Sequence, residues 1–539
     1  MASKRIGSRN SSANVEKASQ PEVFDDTLVG IDSFESADVD EALQLVGTQA
    51  SEHFSKEYNI RLRKKLDRYI PPICAAVYFC QFLDKTSLNY ARYVVRARQL
   101  WQILTLCSIM GFPIAGQDYN LVSMAFYLGY LLWEFPTMYI SQKLRLAKYL
   151  GANTIAWGAL LMLHAATNSF GPFFALRFLL APSLILIISM FYKKDEQASR
   201  ISWFYVMNGL TQIFGGFVAF GVSFYDGKVI PPYKIVYLVL GGISIIVGCV
   251  VLIWLPDSPV HARMLTREER VASLERVRND QGGTENKRFK KEQIIEAVKD
   301  IRTWLIVLTT LVSAIPNGAL SNFGNIVIKS FGYTTKQTLI LGTPSGAVMS
   351  VMVIFCGWYS DKKARKDDNE RMVPIVIALI PTIVGAALLV ALNGTGQKGA
   401  LLFATYLMGT YGSCLSTIYA YNASNTSGHT KKAYSSSTSF PIGVTINALT
   451  MVTFSIGNIV GTEIFLPKDA PAYIPGKIAV LVLLSSQLFI SYTLRYINVR
   501  LNKKRQIRLA EEAARQSWSE EDIQREREKH AFADLTDHQ

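Results

Sequence analysis

The sequence is poor in charged residues, which occupy 18% of its 539 positions, whereas soluble globular domains average about 25%. Most of the charges lie in residues 1–67, in residues 256–302 and after Arg495. This distribution excludes a disordered, collagen-like or coiled-coil chain, and it is not that of several soluble domains. Between the charged stretches, apolar runs of about 20 residues recur, the length that crosses a bilayer as an α-helix. The sequence therefore predicts a polytopic membrane protein.

Sequence signatures of enzyme sites are also absent. The chain has no phosphate-binding glycine-rich loop with a lysine, no zinc-ligand spacing and no nucleophile elbow. Its six cysteines are scattered, mostly in apolar segments, and indicate neither a disulfide framework nor a metal site. Residues 1–67 lack the apolar core of a cleavable signal peptide. We expect no enzymatic activity and no cofactor.

Basic residues outnumber acidic ones, with 56 Lys and Arg against 42 Asp and Glu and a net charge of +14. In a soluble protein this excess would suggest binding to nucleic acid. Here the basic residues flank apolar spans, which is typical of the cytoplasmic loops of membrane proteins. We therefore expect the lipid bilayer as the partner of this chain, and no nucleic acid.

The apolar runs predict an all-α membrane protein with twelve transmembrane helices in two pseudo-symmetric six-helix bundles. The predicted spans are 69–91, 119–140, 147–167, 173–192, 201–224, 234–255, 303–330, 336–359, 373–392, 399–421, 444–465 and 477–497. Every second loop is basic, so both termini and the central loop are predicted to face the cytoplasm. Arg92, Arg96 and Arg98 are exceptions, because they fall in the first outer loop. The predicted divisions are a mostly disordered cytosolic tail at 1–68, bundles at 69–255 and 303–498, a cytosolic loop at 256–302 and a cytosolic tail at 499–539.

Four charged residues lie inside predicted spans at least four positions from either end, where an uncompensated charge costs several kcal/mol and so indicates function. Lys85 and Arg177 are predicted to bind an anionic substrate, and Asp84 and Glu134 to take up a proton. The alternatives are that Asp84 and Lys85 extend to water at the outer end of their helix, and that Glu134 pairs with a basic residue on a neighbouring helix. Arg177 has an alternative too, a structural pair with Glu134 or Asp84.

Neutral polar residues in the spans form a second set of candidates, although most such residues only bond neighbouring helices. The predicted substrate contacts in this set are Asn208, Gln212, Asn322 and Tyr419.

The cytoplasmic end of the eighth span carries a glycine, an acid and a basic cluster: Gly357, Asp361, Lys362 and Arg365. We predict that these residues gate the protein by holding two helix ends together in one conformation and releasing them in another. The alternative is an ordinary basic loop.

Several segments resemble a known family. Residues 357–365 are similar to the loop signature of the major facilitator superfamily in its second-half position. Phe-Leu-Asp-Lys-Thr-Ser-Leu-Asn-Tyr (82–90), Gly-Tyr-Leu-Leu-Trp-Glu-Phe-Pro (129–136) and Trp-Leu-Pro-Asp-Ser-Pro (254–259) resemble the fungal anion:cation symporter family typified by allantoate permease. The resemblance extends over about residues 65–500, and it implies symport of a small organic anion or nutrient, in the class of allantoate, ureidosuccinate, a vitamin acid, an amino acid or a short peptide. It also places Lys85 and Arg177 where related organic-anion transporters use cations.

With no ATP-binding motif, an ion gradient has to supply the energy, and a proton is the economical choice of coupling ion. We therefore expect a proton-coupled symporter working by alternating access, a monomer with the organic anion and the proton as its partners. The plasma membrane is the expected location, and the vacuole is the alternative. A nutrient sensor without significant flux is a second candidate function.

Three segments depart from the family pattern. The fourth span lacks about seven residues and an acid, because Leu180 directly precedes Ala181-Pro182. Residues 92–116 and 433–443 are longer than the corresponding loops of the family. Our hypothesis is that all three are mispredicted exon junctions, and sequencing the transcript tests it. An inactive product, with a truncated fourth helix, is the third candidate.

Overall fold

A computed structural model describes residues 55–91, 117–180, 194–225, 229–258, 262–278, 299–364, 373–414, 417–418 and 446–516, and within them the regular elements are helices. In the first half of the chain the α-helices are α1 (Lys56–Ala91), α2 (Asp118–Lys143), α3 (Leu146–Leu163), α4 (Phe170–Leu179), α5 (Lys194–Val222) and α6 (Pro232–Trp254). A 3-10 turn, His164–Ala166, follows α3. The long inserts predicted at 92–116 and 433–443, and most of both tails, lie outside the described residues.

One helix of the central loop and those of the second half complete the fold. They are α7 (Arg267–Arg278), α8 (Ile301–Ser330), α9 (Thr335–Leu341), α10 (Thr343–Ala364), α11 (Val373–Ala391), α12 (Lys398–Met408), α13 (Ile446–Thr462) and α14 (Ile474–Gln516). The predicted eighth span is divided into α9 and α10 at Gly342. The turn between α11 and α12 contains Gly394 and Gly396 at φ of 82° and 71°, a conformation that favours glycine.

A helix of the described residues lies at each of the twelve predicted spans. Six stretches are both long enough and apolar enough to cross a membrane, by length and composition: Ser202–Val222, Pro232–Trp254, Ile301–Ser330, Thr335–Ser360, Val373–Ala391 and Ile474–Leu501. The fourth helix ends at Leu179, well before the predicted residue 192, and residues 181–193 lie outside the described part of the chain.

The first and last helices are longer than predicted, so the sequence-based bounds are wrong at two ends. α1 begins at Lys56 and continues through Pro71 and Pro72, which were expected to start it. Its first turns stay helical because Leu62, Leu66 and Ile70, spaced four residues apart, form one buried face. α14 continues to Gln516, well beyond residue 497. Its last 19 residues include no glycine or proline that would end it.

The central-loop helix α7 packs on the early part of α1. Ala262, Leu265 and Ala272 join the buried cluster that includes Leu62 and Leu66. The two helices are also joined by an ion pair, with 2.7 Å between Lys65 Nζ and Glu269 Oε2. Glu269 also stabilises the start of α7 itself.

Glu269 and Thr266 form a reciprocal cap at the start of α7. The Thr266 amide donates to Glu269 Oε2 (2.9 Å), and the Glu269 amide donates to Thr266 Oγ1 (3.3 Å). This is the capping box expected of a Thr-x-x-Glu sequence at a helix start. Burial alone would raise the pKa of Glu269, but the hydrogen bonds from Lys65 and Thr266 hold it below its ordinary value.

Among the described residues, the two halves of the chain pack together chiefly through α5 with α10 and α2 with α13, and α1 also contacts α8. Gly209 of α5 faces Gly346 of α10, and a Cβ at position 346 would lie 2.5 Å from the Gly209 carbonyl oxygen. These two backbones can approach because neither residue has a side chain. Lipid supplies no hydrophobic driving force between helices, so close contact of small residues is a principal source of helix association.

Candidate functional site

Asp84 of α1 and Arg177 of α4 form an ion pair inside the first half of the chain. Arg177 Nη1 lies 3.1 Å from Asp84 Oδ1, and both side chains are at most 2% exposed. Nη1 also donates to the Asp84 carbonyl (3.2 Å), and Nη2 donates to Ser87 Oγ (3.5 Å). Trp157 Nε1 of α3 donates to the other carboxylate oxygen, Asp84 Oδ2 (3.0 Å). The carboxylate therefore joins three helices, and Asp84 does not extend to water.

The short helix α4 places Arg177 in this position. Ser169 precedes the helix, and Phe173 and Arg177, one turn apart, are its two fully buried residues. Leu180, at φ −78° and ψ 71°, has left the helical conformation. Of the two acids considered as partners for Arg177, Asp84 is the one the structure pairs with it. The role of Arg177 as a substrate ligand stays a prediction.

Lys85 follows Asp84 directly but faces a different side of α1, because neighbouring helix residues are about 100° apart. Its ammonium lies 5.1 Å from the centre of the Phe82 ring and 5.5 Å from that of Tyr127 on α2. Lys85 is partly buried and has no hydrogen-bond or ion-pair partner among the described residues. A cation on an aromatic face keeps its capacity to bind an anion.

Buried polar atoms without partners cluster on the helices around Lys85 and at the contact between the halves. Among the described residues, these atoms include Asn89 Oδ1, Tyr127 OH, Asn208 Oδ1, Ser321 Oγ and Asn325 Nδ2. Each such atom in a native fold calls for an explanation, because nearly all buried polar groups are bonded. Of these, Asn89 and Tyr127 lie near Lys85, and the others lie along the contacts between helices.

Sequence reasoning named Asn208 in this group and placed Asn89 on the same helix face as Lys85, which lies four positions earlier, but it missed the other three residues. Tyr127 precedes Glu134 by seven positions, so helix periodicity could have placed the two on one face of α2. Ser321 directly precedes the predicted ligand Asn322. Nothing in the sequence singles out Asn325 from other asparagines, because its role depends on which helices meet.

The predicted neutral ligands lie at different levels of the fold. The Asn322 side chain donates to the Gly318 carbonyl of its own helix (2.8 Å), although the residue itself lies where the halves meet. Asn208 faces Tyr78, two helical turns before Lys85 on α1. Gln212 is partly buried, and its carbonyl accepts from Tyr90 OH (3.1 Å). The structure thus brings Asn322 near Lys85, and it places Asn208 and Gln212 along the α1–α5 contact.

Two other predicted site residues are described only in part. Glu134 lies on α2, two turns from Tyr127 towards the predicted cytoplasmic side, but its side chain is outside the described part of the structure. Tyr419 lies outside the described residues altogether. Their predicted roles stay predictions.

The predicted gating cluster is at the end of α10. Gly357 is buried in this helix, and Asp361 and Lys362 belong to its last turn. The side chains of Asp361 and Lys362, and the whole of Arg365, lie outside the described part of the structure. The gate also stays a prediction.

Contacts between the halves occur at the helix ends predicted to face outward. Tyr119 of α2 donates from its hydroxyl to the Asn322 carbonyl of α8 (2.9 Å), and its ring lies 5.5 Å from that of Phe323. Asn120 Nδ2 donates to the Phe465 carbonyl beyond α13 (3.5 Å). These bonds lie between Lys85 and the outer ends of the helices, so they separate the Lys85 region from that side.

Within the described residues, no group of three or more His, Cys, Asp and Glu side chains is arranged to hold a metal ion. The chemistry that this part of the chain offers is therefore that of a cation, hydroxyls and amides in a largely buried setting. Such groups bind and orient a small polar anion.

Comparison with known proteins identifies the family. The family model described as Major Facilitator Superfamily matches residues 74–462. The chain belongs to this superfamily. It is 32% identical to allantoate permease of Saccharomyces cerevisiae over 93% of this chain and 88% of that protein. It is 30% identical to the Thiamine pathway transporter THI73 of the same yeast, over 94% and 90% of the two chains. The resemblance to the fungal permeases is thus confirmed.

A solved transporter structure is also similar to this chain. A bacterial homologue of the human lysosomal transporter Spinster, in an inward-facing and unoccupied conformation, is 14% identical, with a TM-score of 0.48. The similarity covers 83% of this chain and 98% of that one. The family model and the curated relatives, taken together, show that the chain is a membrane-spanning transporter of this superfamily, as predicted.

Proposed function

We propose that this transporter imports a small organic anion together with a proton, with Lys85 as the first ligand of the anion. The observation that supports this most is the ammonium of Lys85, which lies on the Tyr127 ring and, in the part of the chain that the structure describes, has no counter-ion. A partly buried cation without a counter-ion is unfavourable. An incoming carboxylate provides the missing charge.

Arg177 enters the cycle as a second ligand once Asp84 releases it. While Asp84 is ionised, it occupies the Nη1 atom of Arg177 at 3.1 Å. A proton on Asp84 removes its charge and frees the guanidinium fork, whose geometry suits a carboxylate. Protonation and anion binding then favour each other, which is the thermodynamic basis of symport.

Glu134 is the second proton carrier in this proposal. It lies on α2 two turns from Tyr127, whose ring contacts the Lys85 ammonium. An ionised carboxylate at this level competes with the substrate for the cations of the site. A protonated one does not.

The remaining features follow the expectations from the sequence. We propose twelve spans in two bundles, at residues 69–255 and 303–498, with both termini in the cytoplasm and the protein acting as a monomer in the plasma membrane. Asn208, Gln212, Asn322 and Tyr419 contribute hydrogen bonds to the substrate at successive stages. Gly357, Asp361, Lys362 and Arg365 form the inner gate. Alternating access would open the Tyr119 and Asn120 contacts on the outer side when the inner side closes. The name of allantoate permease, a relative over most of the chain, supports an organic anion as the substrate class.

The test is uptake by proteoliposomes that contain the full chain. Radiolabelled allantoate, nicotinate and pantothenate serve as probes, with an inward proton gradient and with a protonophore. We expect at least one probe to accumulate with the gradient, and the accumulation to collapse with the protonophore. Binding of a probe without accumulation would favour the sensor, and neither binding nor uptake of any probe would favour the inactive product.

The Lys85 assignment has its own variants. Lys85→Gln should raise the KM of the transported probe about 10- to 100-fold, the equivalent of one charged hydrogen bond. Lys85→Arg should retain most of the affinity. Lys398→Gln is the matched control, because Lys398 also lies on an aromatic ring (5.8 Å from Tyr333) but is exposed. Unchanged KM in Lys85→Gln would remove Lys85 from the site.

A further inference from the structure

A histidine that the proposed mechanism does not use is buried beside the Asp84–Arg177 pair. His164 lies in the 3-10 turn after α3 and is completely buried. Its ring stacks on Tyr237 of α6, with 5.2 Å between the ring centres and 19° between the planes. The edge of Phe173 on α4 closes another side at 4.9 Å.

One hydrogen bond determines which nitrogen of this ring carries the proton. His164 Nδ1 lies 2.9 Å from the Leu160 carbonyl oxygen. A carbonyl only accepts hydrogen bonds, so Nδ1 is the donor and Nε2 of the neutral ring is an acceptor. Nε2 is buried and has no partner among the described residues.

The atom that complements this acceptor is on Arg177. Its Nε is a buried donor that also has no partner among the described residues, although the Nη atoms bond Asp84 and Ser87. Arg177 lies one turn from Phe173, whose ring contacts His164, and its charge acts on both His164 and Tyr237. An unpaired acceptor and an unpaired donor thus belong to one buried cluster.

We propose that His164 is a positioning residue for Arg177, and that its Nε2 accepts the Nε–H of Arg177 through one ordered water molecule. A buried water requires a polar site with two or more partners, and the Tyr237 hydroxyl of the same buried cluster supplies a third. His164 then holds one edge of the guanidinium, so that its two Nη atoms face Asp84 or the substrate.

The inference rests on the proposed proton coupling for its effect on transport. When Asp84 takes up a proton, Arg177 loses its strongest acceptor, and His164 provides another. The titratable and charged groups around His164 in the described residues are Arg177, Asp84 behind it, Tyr237 and, farther away, Tyr119. Without the His164 acceptor, separating Arg177 from Asp84 becomes less favourable.

The test compares His164→Met with His164→Gln, two side chains of nearly equal shape of which only glutamine keeps an acceptor near the Nε2 position. Uptake is measured against external pH. We expect His164→Met to lower the pH of half-maximal uptake by about half a unit to one unit, the effect of one modest hydrogen bond. His164→Gln should keep the midpoint of the unchanged protein. Equal midpoints in all three proteins would overturn the inference.

A second measurement is independent of transport. In an experimental map that resolves ordered water, we expect density bridging His164 Nε2 and Arg177 Nε. A flipped ring with Nε2 on the Leu160 carbonyl, or Arg177 Nε bonded elsewhere, would overturn the inference. Uptake that does not depend on pH in the unchanged protein would instead contradict the proposed proton coupling, and the map would then decide on His164 alone.

Discussion

The buried ion pair allows a quantitative prediction about stability. Arg177→Gln leaves the Asp84 carboxylate, 1% exposed, with the Trp157 bond at 3.0 Å but without its counter-ion. Asp84→Asn leaves the buried guanidinium of Arg177 without its counter-ion. Removing one partner of a buried pair typically costs about 3–5 kcal/mol, since the other charge stays uncompensated. Each single variant should therefore be strongly destabilised.

The double variant Asp84→Asn/Arg177→Gln should be less affected than the two single changes suggest. It contains neither charge, and what it loses is three hydrogen bonds of Arg177, at 3.1, 3.2 and 3.5 Å. At about 1 kcal/mol each, these sum to about 3 kcal/mol. Independent single effects would sum to about 6–10 kcal/mol. A coupling of at least about 3 kcal/mol is therefore expected.

Buried thiols provide the assay. Cys74, Cys80, Cys356 and Cys414 are free and buried, so a thiol-reactive dye reports when heating opens the fold of the protein in detergent. Cys249 is exposed and sets the starting signal. We expect both single variants to have clearly lower melting temperatures than the unchanged protein. The melting temperature of the double variant should be at least equal to that of either single variant. A double variant that melts below both, or single variants that melt like the unchanged protein, would refute the reasoning.

Two further predictions concern other parts of the fold. Burial opposes a lower pKa of Glu269, but the Lys65 bond lowers it below its ordinary value. The ionised carboxylate therefore stabilises the packing of α7 on α1 fully above the ordinary pKa of glutamate, about 4.3. This stabilisation is lost as the pH falls through the lowered value. A spin label at the exposed start of α7 should therefore gain mobility below about pH 4, and Glu269→Gln should abolish this step; a step that persists would contradict the assignment. At the α5–α10 contact, Gly346→Val should abolish uptake, because even its Cβ would lie 2.5 Å from the Gly209 carbonyl. Gly242→Val, with no atom within 4 Å of the added Cβ, is the matched control, and normal uptake by both variants would show that the contact tolerates side chains.

Much of the helical framework was predictable because lipid demands long apolar stretches with satisfied backbones. The bounds that were wrong are at helix ends outside the apolar spans. The early turns of α1 depend on the face formed by Leu62, Leu66 and Ile70, whose partners are residues of the central loop such as Leu265. A hydropathy pattern does not show that a charged segment is held by a distant one.

The candidate site was predictable to the level of residue types. Asp84, Lys85 and Arg177 were evident as ionisable residues in apolar surroundings. Their partners were not evident, since the sequence was compatible with either Asp84 or Glu134 as the partner of Arg177. That choice depends on how three helices pack, and the Trp157 bond to Asp84 shows that α3 takes part in it. The group around Tyr127 and Ser321 arises only where the two halves meet.

The pairing of Asp84 with Arg177 changes how the charges of the site are balanced. These two residues cancel each other within the first half of the chain, so Lys85 is left as the cation without a partner among the described residues. An anion that enters alone neutralises Lys85 but adds no reason for Arg177 to leave Asp84. A proton that enters alone releases Arg177 and leaves two cations unbalanced in a medium of low dielectric, which is unfavourable. When the two enter together, the anion becomes the new acceptor of Arg177 and reduces the unbalanced charge from two to one. In the proposed cycle, coupling between proton and substrate therefore rests on the buried Asp84–Arg177 pair beside Lys85, without any direct contact between the proton and the transported anion.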